Sequence, residues 1–129
     1  MLINRAKTLG ALASVVVMLG AGAAHAATPA EKGKALFAQC SICHANVAGA
    51  APKMGPNLSG VFGRKSASLA GFNYSPAFKK ANVVWNEANL DKWLAAPMKM
   101  VPGTMMAFAG LSNPDDRKAV IAYLKANKP

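Results

Sequence analysis

Five consecutive residues, Cys40-Ser41-Ile42-Cys43-His44, constrain this chain more than any other feature. Two thiols separated by two residues, with an imidazole directly after the second, form the attachment signature of c-type haem. The spacing has a chemical reason. Each thiol can add across one haem vinyl group to form a thioether, and the next side chain, His44, then lies under the macrocycle within reach of the iron. Both cysteines of the chain are in this motif, and the only other histidine is His25. A fold that keeps such a group must build its core around a large flat apolar plate.

Other uses of the pair fit less well. In an oxidising compartment two nearby thiols form a disulfide, and Cys-x-x-Cys also serves as a thioredoxin-like redox couple. The adjacent His44 and the lack of any βαβ pattern argue against both. A structural zinc site wants four ligands, and beyond position 26 the chain offers only Cys40, Cys43 and His44 as soft or imidazole donors.

The N-terminus reads as an export signal. Arg5 and Lys7 open it, an apolar stretch runs from about Leu9 to Ala24, and Ala24-His25-Ala26 is a small-x-small cleavage site. The stretch is short for a membrane span, which needs about 20 apolar residues, and it contains Gly10, Gly20 and Gly22. Residues 1–26 are therefore expected to be cleaved in the periplasm, leaving residues 27–129 as a single domain. An uncleaved anchor is the alternative. The remaining 103 residues make a common domain size with a modest apolar core of its own, to which a buried haem would add.

Without Arg5 and Lys7 the chain has 13 basic against 5 acidic residues. That balance favours anionic partners and fast, salt-sensitive encounters. Nucleic acid is excluded as the anion by the export signal and by the lack of a basic run or recognition helix.

Helices are the expected elements, and no strand pattern competes. The first opens at the capping box Thr28-Pro29-Ala30-Glu31 and places Leu36, Phe37 and Cys40 on one face. Gly33 on this helix would let another helix approach closely. Residues 45–70 read as a long ordered loop, a length that usually needs a reason such as wrapping a cofactor. Ser75-Pro76 starts a short helix to Ala81. A further helix begins near Asn86, carries Leu90, Trp93 and Leu94 at helical spacing, and stops at Pro97. Residues 98–112 read as irregular, with a turn at Pro102-Gly103. The last helix has Asn113 as cap, Pro114 at its first position, Asp115 and Asp116 in its first turn, and Lys125 and Lys128 near its end, charges that suit the helix dipole.

A haem held by one histidine leaves a sixth iron position. With no second histidine in residues 27–129, a methionine thioether is the leading candidate and a lysine amine the lesser one. Met54, Met98, Met100, Met105 and Met106 are available, and most methionines are adaptable core filler. Pro102-Gly103-Thr104-Met105-Met106 lies between helices in a proline-fixed turn that could hold a side chain over the far haem face.

Taken together, Cys40 to His44, Gly55-Pro56-Asn57-Leu58, Gly60 to Lys65, Trp85, Pro102-Gly103-Thr104-x-Met106 and Ile121-Ala122-Tyr123-Leu124 resemble the class I cytochromes c of the mitochondrial and bacterial c2 type. The resemblance runs from about Glu31 to Leu124. It implies an all-α class I cytochrome c fold, with three main helices plus short helices and long loops wrapped around one covalent haem c on Cys40 and Cys43. It implies His44 and Met106 as iron ligands, choosing Met106 over Met105. Pro56 would accept a hydrogen bond from the histidine ligand and raise its basicity. Arg64, Tyr74 and Trp85 would surround the propionates, which need donors when buried. Thr104 would hold the methionine loop, Phe108 would lie near the exposed haem edge, and Gly33 and Tyr123 would join the first and last helices.

Some positions depart from the family pattern. Trp93 stands in place of a tyrosine near the methionine, and Phe78 in place of an asparagine. Gln39, Met98, Met105, Ser112 and Asn113 occupy lysine positions around the haem edge, while Lys53 and Lys99 remain. The basic docking surface is thus thinner than the net charge implies. The expected function is that of a soluble, monomeric, periplasmic one-electron carrier and not an enzyme. Implied partners, docking transiently at membrane complexes, are a cytochrome bc1-type complex or periplasmic dehydrogenase as donor, and a terminal oxidase, reaction centre or peroxidase as acceptor. The alternatives are a haem peroxidase or gas-binding sensor with an open sixth site, and a membrane-anchored redox subunit.

Overall fold

A computed structural model describes residues 25–129. The apolar stretch read as an export signal lies outside the described residues. Among the described residues six helices follow one another: α1 Pro29–Leu36, α2 Ala38–Ser41, α3 Pro76–Ala81, α4 Glu87–Ala95, α5 Pro97–Met100 and α6 Pro114–Ala126. Among the described residues β structure is limited to an isolated antiparallel bridge between Lys65 and Val84.

The helix starts follow their caps. Thr28 Oγ1 accepts from the Glu31 amide, and the Glu31 carboxylate accepts from the Thr28 amide at 2.7 Å, a closed capping box. Ser75, Asn86 and Asn113 cap α3, α4 and α6 through their side-chain oxygens. Proline occupies the opening of α1, α3, α5 and α6, where its missing N–H costs nothing.

Two expectations need correction. The first helix is not continuous to the cysteine motif. It breaks at Phe37, and Cys40 belongs to the separate turn α2. Residues 98–112 are not irregular throughout. Pro97 ends one helix and opens the next turn, α5, and is itself fully buried.

Packing centres on the crossing of α1 and α6. Gly33 is buried at the contact, and a Cβ there would overlap the backbone carbonyl of Ala119. The absent side chain therefore sets how closely the two helices approach. The Phe37 and Tyr123 rings meet 5.2 Å apart beside it. Val120, Ile121 and Leu124 of α6 join Leu90, Trp93 and Leu94 of α4 in one apolar cluster with Phe37, Val61 and Trp85. The segment after α5 is strapped back onto α4: the Leu111 amide donates to the Leu94 carbonyl at 2.7 Å, and Gly110, at φ +108°, lies against Ala95 where a side chain has no room. Arg117, with only 13% of its side chain exposed, donates to Asp91 and to the Leu111 and Ser112 carbonyls. It ties α6, α4 and the end of that segment together.

Candidate functional site

Between the helical cluster and the two long loops lies an apolar cavity of about 450 Å³. Cys40 and Cys43 line it as free thiols, and burial pushes the Cys40 thiol above its ordinary range. His44 lines it as well. Its Nδ1 is 2.8 Å from the Pro56 carbonyl oxygen. A carbonyl can only accept, so Nδ1 carries the proton and Nε2 keeps a free lone pair. Burial holds the imidazole below its ordinary pKa despite that hydrogen bond, which keeps the ring in the neutral form that a metal ion takes.

The local chain explains why the ring sits there. The Gly55 amide donates to the Cys43 carbonyl at 2.8 Å and Leu58 to Ala45 at 2.9 Å, clipping residues 55–58 alongside the cysteine motif. A Cβ at Gly55 would meet the imidazole at less than 3 Å. Asn57, buried, donates to the Val47 and Ala50 carbonyls and accepts from the Ser59 amide, so one side chain folds the loop beneath the imidazole.

Met106 also lines the cavity, from the segment between α5 and α6, and its amide donates to Thr104 Oγ1 at 3.2 Å. Gly103 takes a left-handed φ of +87°, the turn that Pro102-Gly103 predicts. Thr104 and Phe108 line the same space.

Arg64, Tyr74 and Trp85 complete the lining. Arg64 donates to the Asn57 carbonyl at 2.8 Å and the Ser59 carbonyl at 3.3 Å. It is half-buried and has no carboxylate in an ion pair with it among the described residues. Burial lowers its pKa and raises that of Tyr74. The aromatic wall is continuous: Tyr74 stacks on Phe78 at 5.5 Å, and Phe78 meets Trp85 at 5.9 Å and Trp93 at 5.3 Å.

The nine residues read from the sequence as haem-binding, Cys40, Cys43, His44, Pro56, Arg64, Tyr74, Trp85, Thr104 and Met106, all border this one cavity. Phe72 and the helix residues Leu90, Leu94, Val120 and Leu124 border it too. Their helical spacing marked the α4 and α6 residues as core without telling which part of the core was cavity wall. Phe72 had no such signal.

The residues fit a haem. Two thiols stand beside a neutral imidazole, a thioether lines the same space, an unpaired guanidinium suits acidic substituents, and the remaining walls are apolar. Among the described residues no group of three His, Cys, Asp or Glu side chains could hold a metal ion by itself, so these donors suit an iron that arrives in its own ring. Fold and site thus define an all-α protein built around one covalent haem.

Comparison with known proteins agrees. The family model for cytochrome c matches residues 30–128. Cytochrome c2 of Rhodomicrobium vannielii is 46% identical over 114 residues, spanning 84% of this chain and 91% of that protein. Cytochrome c of Ulva intestinalis is 47% identical over 97 residues, spanning 75% and 87%. The solved structure of cytochrome cH from Methylobacterium extorquens superposes with a TM-score of 0.71 at 42% identity, covering 75% of this chain and 97% of that one. The chain belongs to the cytochrome c family, c2-like within class I. It carries one haem c on the Cys40–Cys43 motif and is an electron-transfer protein, not an enzyme.

Proposed function

We propose that this protein is a periplasmic one-electron shuttle in which His44 and Met106 are the two iron ligands. The observation that carries the reading is the pairing of His44, fixed by its 2.8 Å hydrogen bond to Pro56, with Met106 on the wall of the same cavity. When bound, the haem supplies an iron that cycles between ferrous and ferric states, and a thioether ligand in an apolar pocket favours the reduced one.

The protein's own residues give that cycling its character. Pro56 keeps the imidazole in one tautomer and one orientation and makes it a stronger donor. Thr104 holds the Met106 turn through the methionine's amide. Arg64 is anchored on two backbone carbonyls and offers its remaining N–H groups, with Tyr74 and Trp85, to propionates. Trp93 and Phe78 keep the methionine side of the cavity apolar and exclude water. Two protein ligands leave no coordination position for a substrate, which separates a carrier from a peroxidase or gas sensor.

Residues 1–26 are read as a cleaved export signal and residues 27–129 as the mature monomer. Its donors are a bc1-type complex or a periplasmic dehydrogenase. Its acceptors are a terminal oxidase, a reaction centre or a peroxidase. These partners follow from the family and from the basic charge, which suits brief electrostatic encounters.

A potentiometric titration followed by absorption tests the ligand set. A low-spin covalent haem, a far-red sulfur-to-ferric-iron band and a clearly positive potential are expected. Met106→Ala should remove the band, lower the potential and admit carbon monoxide. A variant that kept the native band and potential would show that Met106 is not the ligand. N-terminal sequencing of the exported protein tests cleavage after Ala26.

A further inference from the structure

After α6 the chain turns back over the loop that follows the cysteine motif, and Asn127 is the residue that meets it. Its side-chain Nδ2 donates to the Asn46 carbonyl at 2.8 Å, and its own carbonyl accepts from the Gly60 amide at 3.2 Å. Asn46 and Gly60 are the two ends of the stretch that carries Pro56, Asn57 and Ser59. One residue thus holds that stretch at both ends. The Pro129 ring then covers Gly60, where a Cβ would meet ring carbons at 2.8 and 3.0 Å.

The stretch places a charge. Arg64 is half-buried on the wall of the haem cavity, and its guanidinium donates to two backbone carbonyls, Asn57 at 2.8 Å and Ser59 at 3.3 Å. Among the described residues it has no carboxylate to pair with, so it points where residues 57–59 put it. Asn57 folds the loop from within, through the Val47 and Ala50 carbonyls. The Gly55 and Leu58 amides register the loop against the cysteine motif. Asn127 registers it against α6, at the residue next to Val47 and the residue next to Ser59.

We propose that Asn127 is a positioning residue for Arg64, through which the segment after α6 sets the haem potential. The proposal rests on the reading above that the propionates lie against Arg64. Carboxylates beside the ring favour ferric iron. A guanidinium close to them offsets part of that charge and favours ferrous iron. In a half-buried site this interaction is only partly screened, so a small displacement of the cation is felt. Loss of the Asn127 ties lets residues 57–60 drift, carries the guanidinium towards water and lowers the potential. The same stretch also carries Pro56, and there the sign is opposite. A weaker bond from His44 to Pro56 makes the imidazole a poorer donor and raises the potential. The direction of the shift therefore reports which of the two Asn127 acts through.

The test is potentiometric titration of the holoprotein and of N127A, R64Q and N127A/R64Q, with thermal unfolding of each. N113A is the control. It removes an asparagine side-chain bond of similar length, 2.9 Å to the Asp115 amide, at the far end of α6. R64Q should lower the potential most. N127A should lower it by less, and should add nothing when combined with R64Q. N113A should lower thermal stability without moving the potential, which separates positioning from general loosening. R64K, alone and combined with N127A, takes the place of R64Q if that variant does not fold. An N127A potential equal to wild type would overturn the proposal. So would an upward shift, a shift that persists without Arg64, or an equal shift in N113A. Each of these leaves the propionate reading standing, whereas an R64Q variant with the wild-type potential would sink both.

Discussion

Two regions of this molecule are built on opposite plans. At the crossing of α1 and α6, backbone meets backbone across Gly33, and the rings of Phe37 and Tyr123 close the side. Every position there is filled by the chain itself. Around the haem cavity, residues 44–75 and 101–112 have almost no regular structure apart from short turns, and side chains do what a helix ladder would do. Asn57 bonds two carbonyls and an amide, Arg64 two carbonyls, and Arg117 two carbonyls and a carboxylate. The first region is complete without a cofactor. The second is a shell whose inner surface has protein on one side only.

Breaking the shell should have the larger effect. Cys40→Ser with Cys43→Ser removes the covalent anchor and leaves about 450 Å³ of apolar wall to collapse or hydrate. Empty core volume is strongly destabilising, so circular dichroism should show no cooperative thermal transition. A sharp transition in that variant would mean that the helix crossing folds by itself. Gly33→Val strikes the other region. Its side chain has nowhere to go but into the Ala119 carbonyl, and overpacking against backbone should cost at least about 3 kcal/mol in urea unfolding, with the haem spectrum of the folded fraction unchanged.

Single polar ties in the shell come next. Asn57→Ala leaves the Ala50 carbonyl without its donor and the Val47 carbonyl with only the Ala50 amide, and should cost about 2 kcal/mol. Hydrogen exchange should rise in residues 45–59 before it rises in α6. Uniform loosening of both regions would remove the distinction drawn between them. Burial favours the neutral phenol of Tyr74 in the fold. Its folded pKa lies above the unfolded value of about 10, so stability is full below pH 10 and falls as pH rises through the raised folded value. Tyr74→Phe should flatten that alkaline decline. The exposed Lys118–Asp115 pair, 3.8 Å apart, should matter least. Lys118→Ala is expected to change stability by less than about 0.5 kcal/mol.

The same contrast governs what could be read from the sequence. Caps are local, so Thr28-Pro29-Ala30-Glu31 and Asn113-Pro114 located the starts of α1 and α6 directly. Gly33 was legible because a glycine on an otherwise good helix needs a neighbour. The break at Phe37 and the turn α5 were not, since a proline that stops one helix also opens the next, and no local pattern separates these roles. Cys40, Cys43 and His44 were legible from chemistry alone. Met106 was not separable from Met105 by residue type, and only the resemblance chose it. Arg117, Gly110 and Asn57 carried no local signal. Their roles depend on which carbonyls a loop leaves unpaired, and that is settled only once the loop is closed.

The contact of Gly33 with Ala119 has a topological consequence. It joins segments 86 residues apart, nearly the two ends of the described chain, so the polypeptide is in effect a closed ring fastened at one clasp. Closing a loop of that length carries an entropy cost, and contacts so far apart in sequence slow folding. Once formed, the contact makes the backbone between redundant as a tether. A single proteolytic nick at an exposed loop tip such as Gly49 or Gly71 would then leave two fragments that stay together, and the same clasp would allow new chain ends to be placed there.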